Sequence, residues 1–221
     1  MKNTRLEVPA ARADLLAAIV PHVPFDGWSE PAFRAAVTDL EMDMGLARVI
    51  CPRGAVDLAV EYHRAGDELM LSALDDAELD GMKFREKVAA AVRFRLEEAD
   101  PELVRRGASV FALPANMATG AALIWGTADA IWRALGDESR DFNWYSKRLT
   151  LSGVYSATVL FWVGDTSDGH AATWEFLDRR IADVMQFEKV KGAVTTNPLI
   201  KRLLEGVRAP AREPMPGREG L

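Results

Sequence analysis

Two stretches of this chain carry no charged side chain: residues 107–128, 22 positions long, and residues 149–164, 16 positions long. A membrane span needs about 20 consecutive, mostly apolar residues. The second stretch is too short for that. The first is diluted by Ser109, Pro114, Asn116, Thr119, Thr127 and three glycines. The reading that remains is a pair of helices buried on all sides inside a helical protein. Elsewhere apolar residues recur at helical spacing, and short alternating strand-type runs are nearly absent. The expected fold class is therefore all-α, with about ten helices.

Breakers and caps place those helices. The first spans about Pro9 to His22, and the Pro21–Trp28 stretch ends it with two prolines and a glycine. Ser29 is the N-cap of a second, with Pro31 in its first turn. Further helices are expected over Met42–Ile50, Asp57–Leu74 and Gly81–Glu98, then from Pro101, over Ala115–Leu135, Asn143–Val163 and Gly169–Lys191, and over Pro198–Val207. The Pro/Gly-rich tail after Val207 is expected to be disordered. The units are a three-helix head (residues 1–50), a helical body (51–192), and a terminal helix with its tail (193–221).

Hydrophobic residues make up 49% and charged residues 27% of the 221, an ordinary balance for a folded chain. The net charge of −6 gives no global attraction to nucleic acid. The single cysteine, Cys51, excludes an intrachain disulfide and a cysteine zinc cage, and reads as a structural thiol. The stretch Met1-Lys2-Asn3-Thr4-Arg5 opens neither an apolar signal core nor an Arg/Ser-rich presequence, so a cytoplasmic protein is expected.

Catalytic signatures are missing. His22, His63 and His170 stand in no metal-ligand spacing. There is no Gly-x-Ser-x-Gly elbow, no phosphate loop and no dinucleotide fingerprint. No catalytic residue, no metal and no cofactor are expected, and the protein is read as a non-enzyme. Asp165–His170 reads as a helix–helix turn, with Asp168 or Ser167 capping the next helix. The head has the helix pattern of a helix-turn-helix, yet residues 22–50 carry a net charge of −3. The would-be reading helix, residues 42–50, offers one base, Arg48, against Asp43. Phosphate contacts demand the opposite sign.

Two surfaces look built for binding. In the terminal helix Leu199, Ile200, Leu203, Leu204 and Val207 share one face, flanked by Lys201, Arg202 and Arg208. An apolar face with basic flanks suits an anionic membrane surface; docking on its own domain or on a second copy is the alternative. In the charge-free stretches Phe111, Met117, Leu123, Ile124, Trp125, Tyr155, Val159, Phe161 and Trp162 alternate with small residues. That mixture packs either as an ordinary core or as the wall of an apolar lipid cavity.

From Asn143 the chain reads Asn143-Trp144-Tyr145-Ser146-Lys147-Arg148, then Gly153-Val154-Tyr155-Ser156, then Trp174-Glu175-Phe176-Leu177-Asp178-Arg179-Arg180. This series resembles the coenzyme Q (ubiquinone) biosynthesis accessory family, with its strongest match over about 115–189. The resemblance implies a fold like the tetracycline-repressor (TetR) regulators and a lipid-binding protein rather than a catalyst. Its expected bound molecule is an isoprenoid, quinone or phospholipid. The expected partner is the demethoxyubiquinone hydroxylase, reached at the membrane through the terminal amphipathic helix. A partner-docking patch is implied at Trp144, Tyr145 and Arg148, with Asp129 and Asp141 upstream. The bland alternative makes Trp144 a core anchor and pairs Arg148 with Asp141 on the surface. Trp174, Leu177, Ile181 and Val184 recur at helical steps, and the resemblance favours their use as a homodimer seam. With no presequence in view, a bacterial-type protein peripheral to the inner face of the cytoplasmic membrane is expected. The competing readings are a TetR-type regulator binding DNA through residues 22–50, and an enzyme acting on a lipid.

Overall fold

The computed structural model describes residues 8–195 and 209–210, and every regular element among these is helical. Helix α1 (Val8–Ile19) buries Ala11, Leu15 and Ile19 along one face. The proline-rich break after it is not wholly irregular. It holds one helical turn, α2 (Val23–Asp26), closed by Gly27 at φ 69°, a left-handed conformation that glycine adopts without strain. Ser29 caps α3 (Glu30–Asp39), its hydroxyl accepting from the Ala32 N–H. Asp43 caps α4 (Met44–Ile50) in the same way at Leu46. Helix α5 (Ala55–Asp76) comes next, 22 residues long.

Helix α6 (Phe84–Glu97) begins later than the Gly81 start expected from the pattern. The Lys83 N–H donates to the Glu86 carboxylate at 3.0 Å and sets the boundary there. Asp100 caps α7 (Pro101–Phe111), accepting from the N–H groups of Glu102 and Leu103. Then come α8 (Met117–Ala134), α9 (Phe142–Trp162), a 3-10 turn (Asp168–His170) and α10 (Ala171–Thr195).

The apolar residues form two cores. One gathers Leu15, Ile19, Trp28, Phe33, Ile50 and Leu58 in the head. The other gathers Met70, Leu74, Val92, Ile131, Leu151, Trp162 and Leu177 in the body. Helix α5 contributes to both, through Leu58 and Ala59 at one end and Met70 and Leu74 at the other. Polar ties reinforce the joint. Trp28 Nε1 donates to the Leu103 carbonyl at 3.1 Å, and an Arg106 guanidinium N–H donates to the Pro24 carbonyl at 2.8 Å.

Helices α8 and α9 contain most of the charge-free stretches, and they are not buried on all sides as expected. Ala128 and Ile131 of α8 and Leu151, Val154 and Trp162 of α9 face the core. The opposite faces, with Ala118, Ala122 and Gly126 on α8 and Leu149, Gly153 and Leu160 on α9, are exposed. Leu149 and Leu160 each keep 67% of their surface open. Among the described residues no helix is long and apolar enough to cross a membrane. The predicted helix Pro198–Val207, with every residue proposed for membrane contact, and the tail after Val207 lie outside the described residues, except for Ala209 and Pro210. The Ala209 N–H donates to the Arg140 carbonyl at 3.0 Å.

Candidate functional site

An open apolar groove of about 470 Å³ runs between α5, α7, α8 and α9. Ligand sites of small molecules typically occupy about 300–1,000 Å³. Of the nine residues expected to face a lipid, Phe111, Met117, Leu123, Ile124, Tyr155 and Val159 line this groove. Gly120 lies in its wall because a side-chain carbon there would approach Phe111 Cβ to 2.8 Å. The other three do not share it. Trp125 packs against Trp144, with ring centres 5.8 Å apart. Phe161 stacks on Phe176 at 4.6 Å, and Trp162 is buried in the body core beside His170. Consecutive positions on a helix diverge by about 100°, so a charge-free run cannot turn all its side chains to one hollow.

The groove has a polar floor that sequence reasoning missed. His63 lines it, and His63 Nε2 lies 2.9 Å from Thr127 Oγ1. Thr127 is fully buried, and its hydroxyl lies 2.9 and 3.0 Å from the two oxygens of Asp67. Arg95 Nε donates to Asp67 at 2.6 Å, and a second guanidinium nitrogen donates to the His63 carbonyl at 2.9 Å. Arg95 reaches Asp67 across Gly66, where a side-chain carbon would stand 2.5 Å from the guanidinium. Burial pushes the His63 pKa down to about 4, outweighing the nearby Asp67 carboxylate. Tyr155 sits beside the same cluster, and burial pushes its hydroxyl up to about 12. Both groups are thus uncharged at neutral pH. The i, i+4 spacing of His63 and Asp67 was visible in the sequence, but nothing there tied them to Arg95 or Thr127.

A second polar cluster sits at the end of α8 and the start of α9. Arg148, only 1% exposed, donates from Nε to Asp129 and from Nη1 to Asp137 at 3.0 Å and to the Trp144 carbonyl at 3.1 Å. Its guanidinium carbon lies 4.1 Å from the centre of the Trp144 ring. Lys147 Nζ reaches Asp137 at 2.7 Å and Ser139 Oγ at 2.7 Å. Burial alone would raise the Asp137 pKa. The donors from Lys147, Ser139 and Arg148 together outweigh it and hold the pKa at about 2.

Arg148 therefore does not pair with Asp141 on the surface. Asp141 instead caps α9, accepting from the Asn143 N–H at 2.9 Å. Of the expected docking residues, Tyr145 is exposed and Trp144 half-buried, their rings edge to face at 4.7 Å, while Arg148 and Asp129 brace them from beneath. Asp137 and Lys147 were missed as members of this cluster.

The expected dimer seam is largely consumed within the chain. Leu177 and Ile181 are buried in the body core, and Trp174 and Val184 are half-buried against it. Trp174 also lies under Arg93 and donates to the Gly169 carbonyl. In the turn before α10 Ser167 caps as expected, its hydroxyl accepting from the Ala172 N–H at 3.0 Å, and Asp165 adds to it. Asp165 accepts from the Ser167 N–H, the Thr173 N–H and the Thr173 hydroxyl, bonds that hold its carboxyl well below the usual range. In the head Arg48 pairs with Glu30 and covers the Phe33 ring. Among the described residues no group of histidine, cysteine and carboxylate side chains is placed to hold a metal ion.

A helical head joined to a helical body with a ligand-sized groove defines a class of protein built on the TetR-regulator fold. The TetR transcriptional regulator from Nitrosomonas europaea superposes with a TM-score of 0.64, covering 78% of this chain and 97% of that one at 16% identity. That likeness speaks for the fold alone. Residues 117–188 match the model of the COQ9 family, so the family resemblance read at Asn143–Arg148 stands.

Among its relatives, the probable ubiquinone biosynthesis protein coq9 of Dictyostelium discoideum is 28% identical, covering 80% of this chain and 62% of that protein. The ubiquinone biosynthesis protein COQ9 of Rattus norvegicus is 31% identical, covering 77% and 57%. That of Homo sapiens is 27% identical, covering 77% and 56%. The chain thus spans less than two thirds of the length of these relatives. All three are named as mitochondrial proteins, which overturns the expected bacterial-type, cytoplasmic location. A missing presequence pattern was the ground for that expectation, and the start of a chain matching only part of its relatives carries no such information.

Proposed function

We propose that this protein is a non-catalytic, lipid-binding accessory protein of ubiquinone biosynthesis. The observation that carries the reading is the 470 Å³ groove, whose α8 and α9 walls fall within the segment matched by the COQ9 family. Its walls are apolar, and its polar floor is uncharged at His63 and Tyr155. Such a site favours an oily molecule with a small polar end. The bound molecule is an isoprenoid or quinone-type lipid, held without any further cofactor.

Docking of the demethoxyubiquinone hydroxylase is assigned to the Trp144–Tyr145 surface. An aromatic pair offers contact area at low entropic cost, and the buried Arg148 keeps it in place. Residues 198–208, with Leu199, Ile200, Leu203, Leu204 and Val207 between Lys201, Arg202 and Arg208, are assigned to membrane contact. A homodimer forms through the exposed, charge-free faces of α8 and α9. Regulation of DNA through residues 22–50 is disfavoured, because Arg48, the one base of α4, is committed to Glu30.

The test is extraction of the purified protein with organic solvent and identification of bound lipid by mass spectrometry. The unaltered protein is expected to yield isoprenoid or quinone-type lipid at near one molecule per groove. The variant Ala121→Trp, which plugs the groove from an exposed position, is expected to yield none while staying folded. Equal lipid from both would overturn the reading. So would an empty unaltered protein that also fails to take up added prenyl lipid.

A further inference from the structure

We propose that the floor of the groove selects amphiphiles whose polar end is an uncharged hydroxyl group, with His63 Nδ1 as the acceptor. The inference rests on the lipid-binding reading and adds the chemistry of the head to it.

Thr127 Oγ1 has a single proton and lies within hydrogen-bonding distance of both Asp67 oxygens and, at 3.2 Å, of the Leu123 carbonyl. Asp67 is ion-paired to Arg95 at 2.6 Å and is therefore a carboxylate, the strongest acceptor in reach. The threonine proton goes to it. The 2.9 Å contact between Thr127 Oγ1 and His63 Nε2 then needs its proton from the imidazole. This fixes the tautomer: Nε2 carries the proton, and Nδ1 keeps a lone pair.

The depressed pKa keeps His63 neutral down to mildly acidic pH, so the lone pair persists. His63 lines a mainly apolar groove beside the Tyr155 and Ser156 hydroxyls, and an O–H group entering with an oily tail finds in its Nδ1 an acceptor stronger than either. An ether or a bare hydrocarbon gains nothing from it. A phosphate fares worse. The one buried cation at the floor, Arg95, is spent on Asp67 and the His63 carbonyl, and a second anion there would be desolvated without a partner.

The experiment compares three probes with one tail, by calorimetric titration of the full chain: 4-farnesylphenol, its methyl ether, and farnesyl phosphate. The phenol is expected to bind roughly three- to tenfold more tightly than the ether, the range of one neutral hydrogen bond. The phosphate is expected to bind more weakly than either. His63→Gln keeps an N–H for Thr127 and lacks the Nδ1 acceptor, so it is expected to bind phenol and ether alike, with the ether affinity unchanged. His63→Asn keeps an acceptor near Nδ1 and is expected to retain the preference, which decides the matter should the glutamine variant fail to fold. Equal binding of phenol and ether by the unaltered protein would overturn the hydroxyl assignment and leave the groove a lipid site. Tightest binding of the phosphate would overturn it too. Failure of all three probes to bind would sink the lipid-binding reading along with it.

Discussion

The guanidinium carbon of Arg148 lies over the Trp144 ring, 4.1 Å from its centre, while its nitrogens hold the carboxylates of Asp129 and Asp137. One buried cation thus joins the end of α8, the turn after it and the first turns of α9. Arg148→Met would leave two carboxylates short of a partner, with Lys147 and Arg133 as partial substitutes. The expected cost is about 3 kcal/mol, the low end for breaking a buried ion pair. Urea denaturation reads it directly, and Trp144 emission is expected to shift as the ring loses its support. A loss below about 1 kcal/mol would show that the cluster does not hold the patch.

Acid stability depends on two groups with separate windows. The folded pKa of His63, about 4, lies below its ordinary 6.5, so the unfolded chain binds the proton first. Its contribution is complete above pH 6.5 and is lost as pH falls from 6.5 to 4, by about 3 kcal/mol. Asp137 acts lower, its contribution fading from its ordinary 3.8 toward 2. Denaturation midpoints measured from pH 8 to 4 should fall for the unaltered protein and stay nearly level for His63→Gln. Parallel curves would exclude His63 as the source.

The location of the dimer seam separates two variants. Leu177→Asp puts a charge into the body core and is expected to cost about 4 kcal/mol or prevent folding. Leu149→Glu lies on the exposed face of α9 and is expected to change stability by no more than about 0.5 kcal/mol. In sedimentation equilibrium at micromolar concentration, Leu149→Glu should convert a dimer to a folded monomer. A dimer that survives it excludes this face.

Removal of Pro198–Leu221 is expected to abolish binding to vesicles containing anionic lipid and to leave helical content largely intact. Each basic side chain near such a surface contributes about 1 kcal/mol, and the five apolar residues of the segment add to it. Undiminished cosedimentation with the vesicles would exclude the segment as the membrane contact.

Helix positions were legible wherever a cap or breaker had a chemical signature. Ser29 and Pro101 mark helix starts that the structure reproduces within a residue or two, while the cap at Asp100 came only with the structure. Helix α2 was not legible, because four residues are too few to display a period. The start of α6 was misplaced because lysine is not a capping residue by type, and its cap works through the backbone N–H and Glu86.

The groove was partly legible, since lack of charge is a local property of a segment. Which side of each helix faces inward is not local, so Trp125, Phe161 and Trp162 could not be told from the residues that line it. The two ion clusters were illegible for the same reason. Asp67 and Arg95 stand 28 positions apart, and Arg148 and Asp129 stand 19 apart. Such partners meet only when helices pack.

Helix α5 is rooted in the head through Leu58 and Ala59 and in the body through Met70 and Leu74, with His63 and Asp67 midway. It works as an axle shared by two wheels. The groove floor therefore sits on a rod that both halves of the fold grip, and a substitution at its middle is felt at both ends.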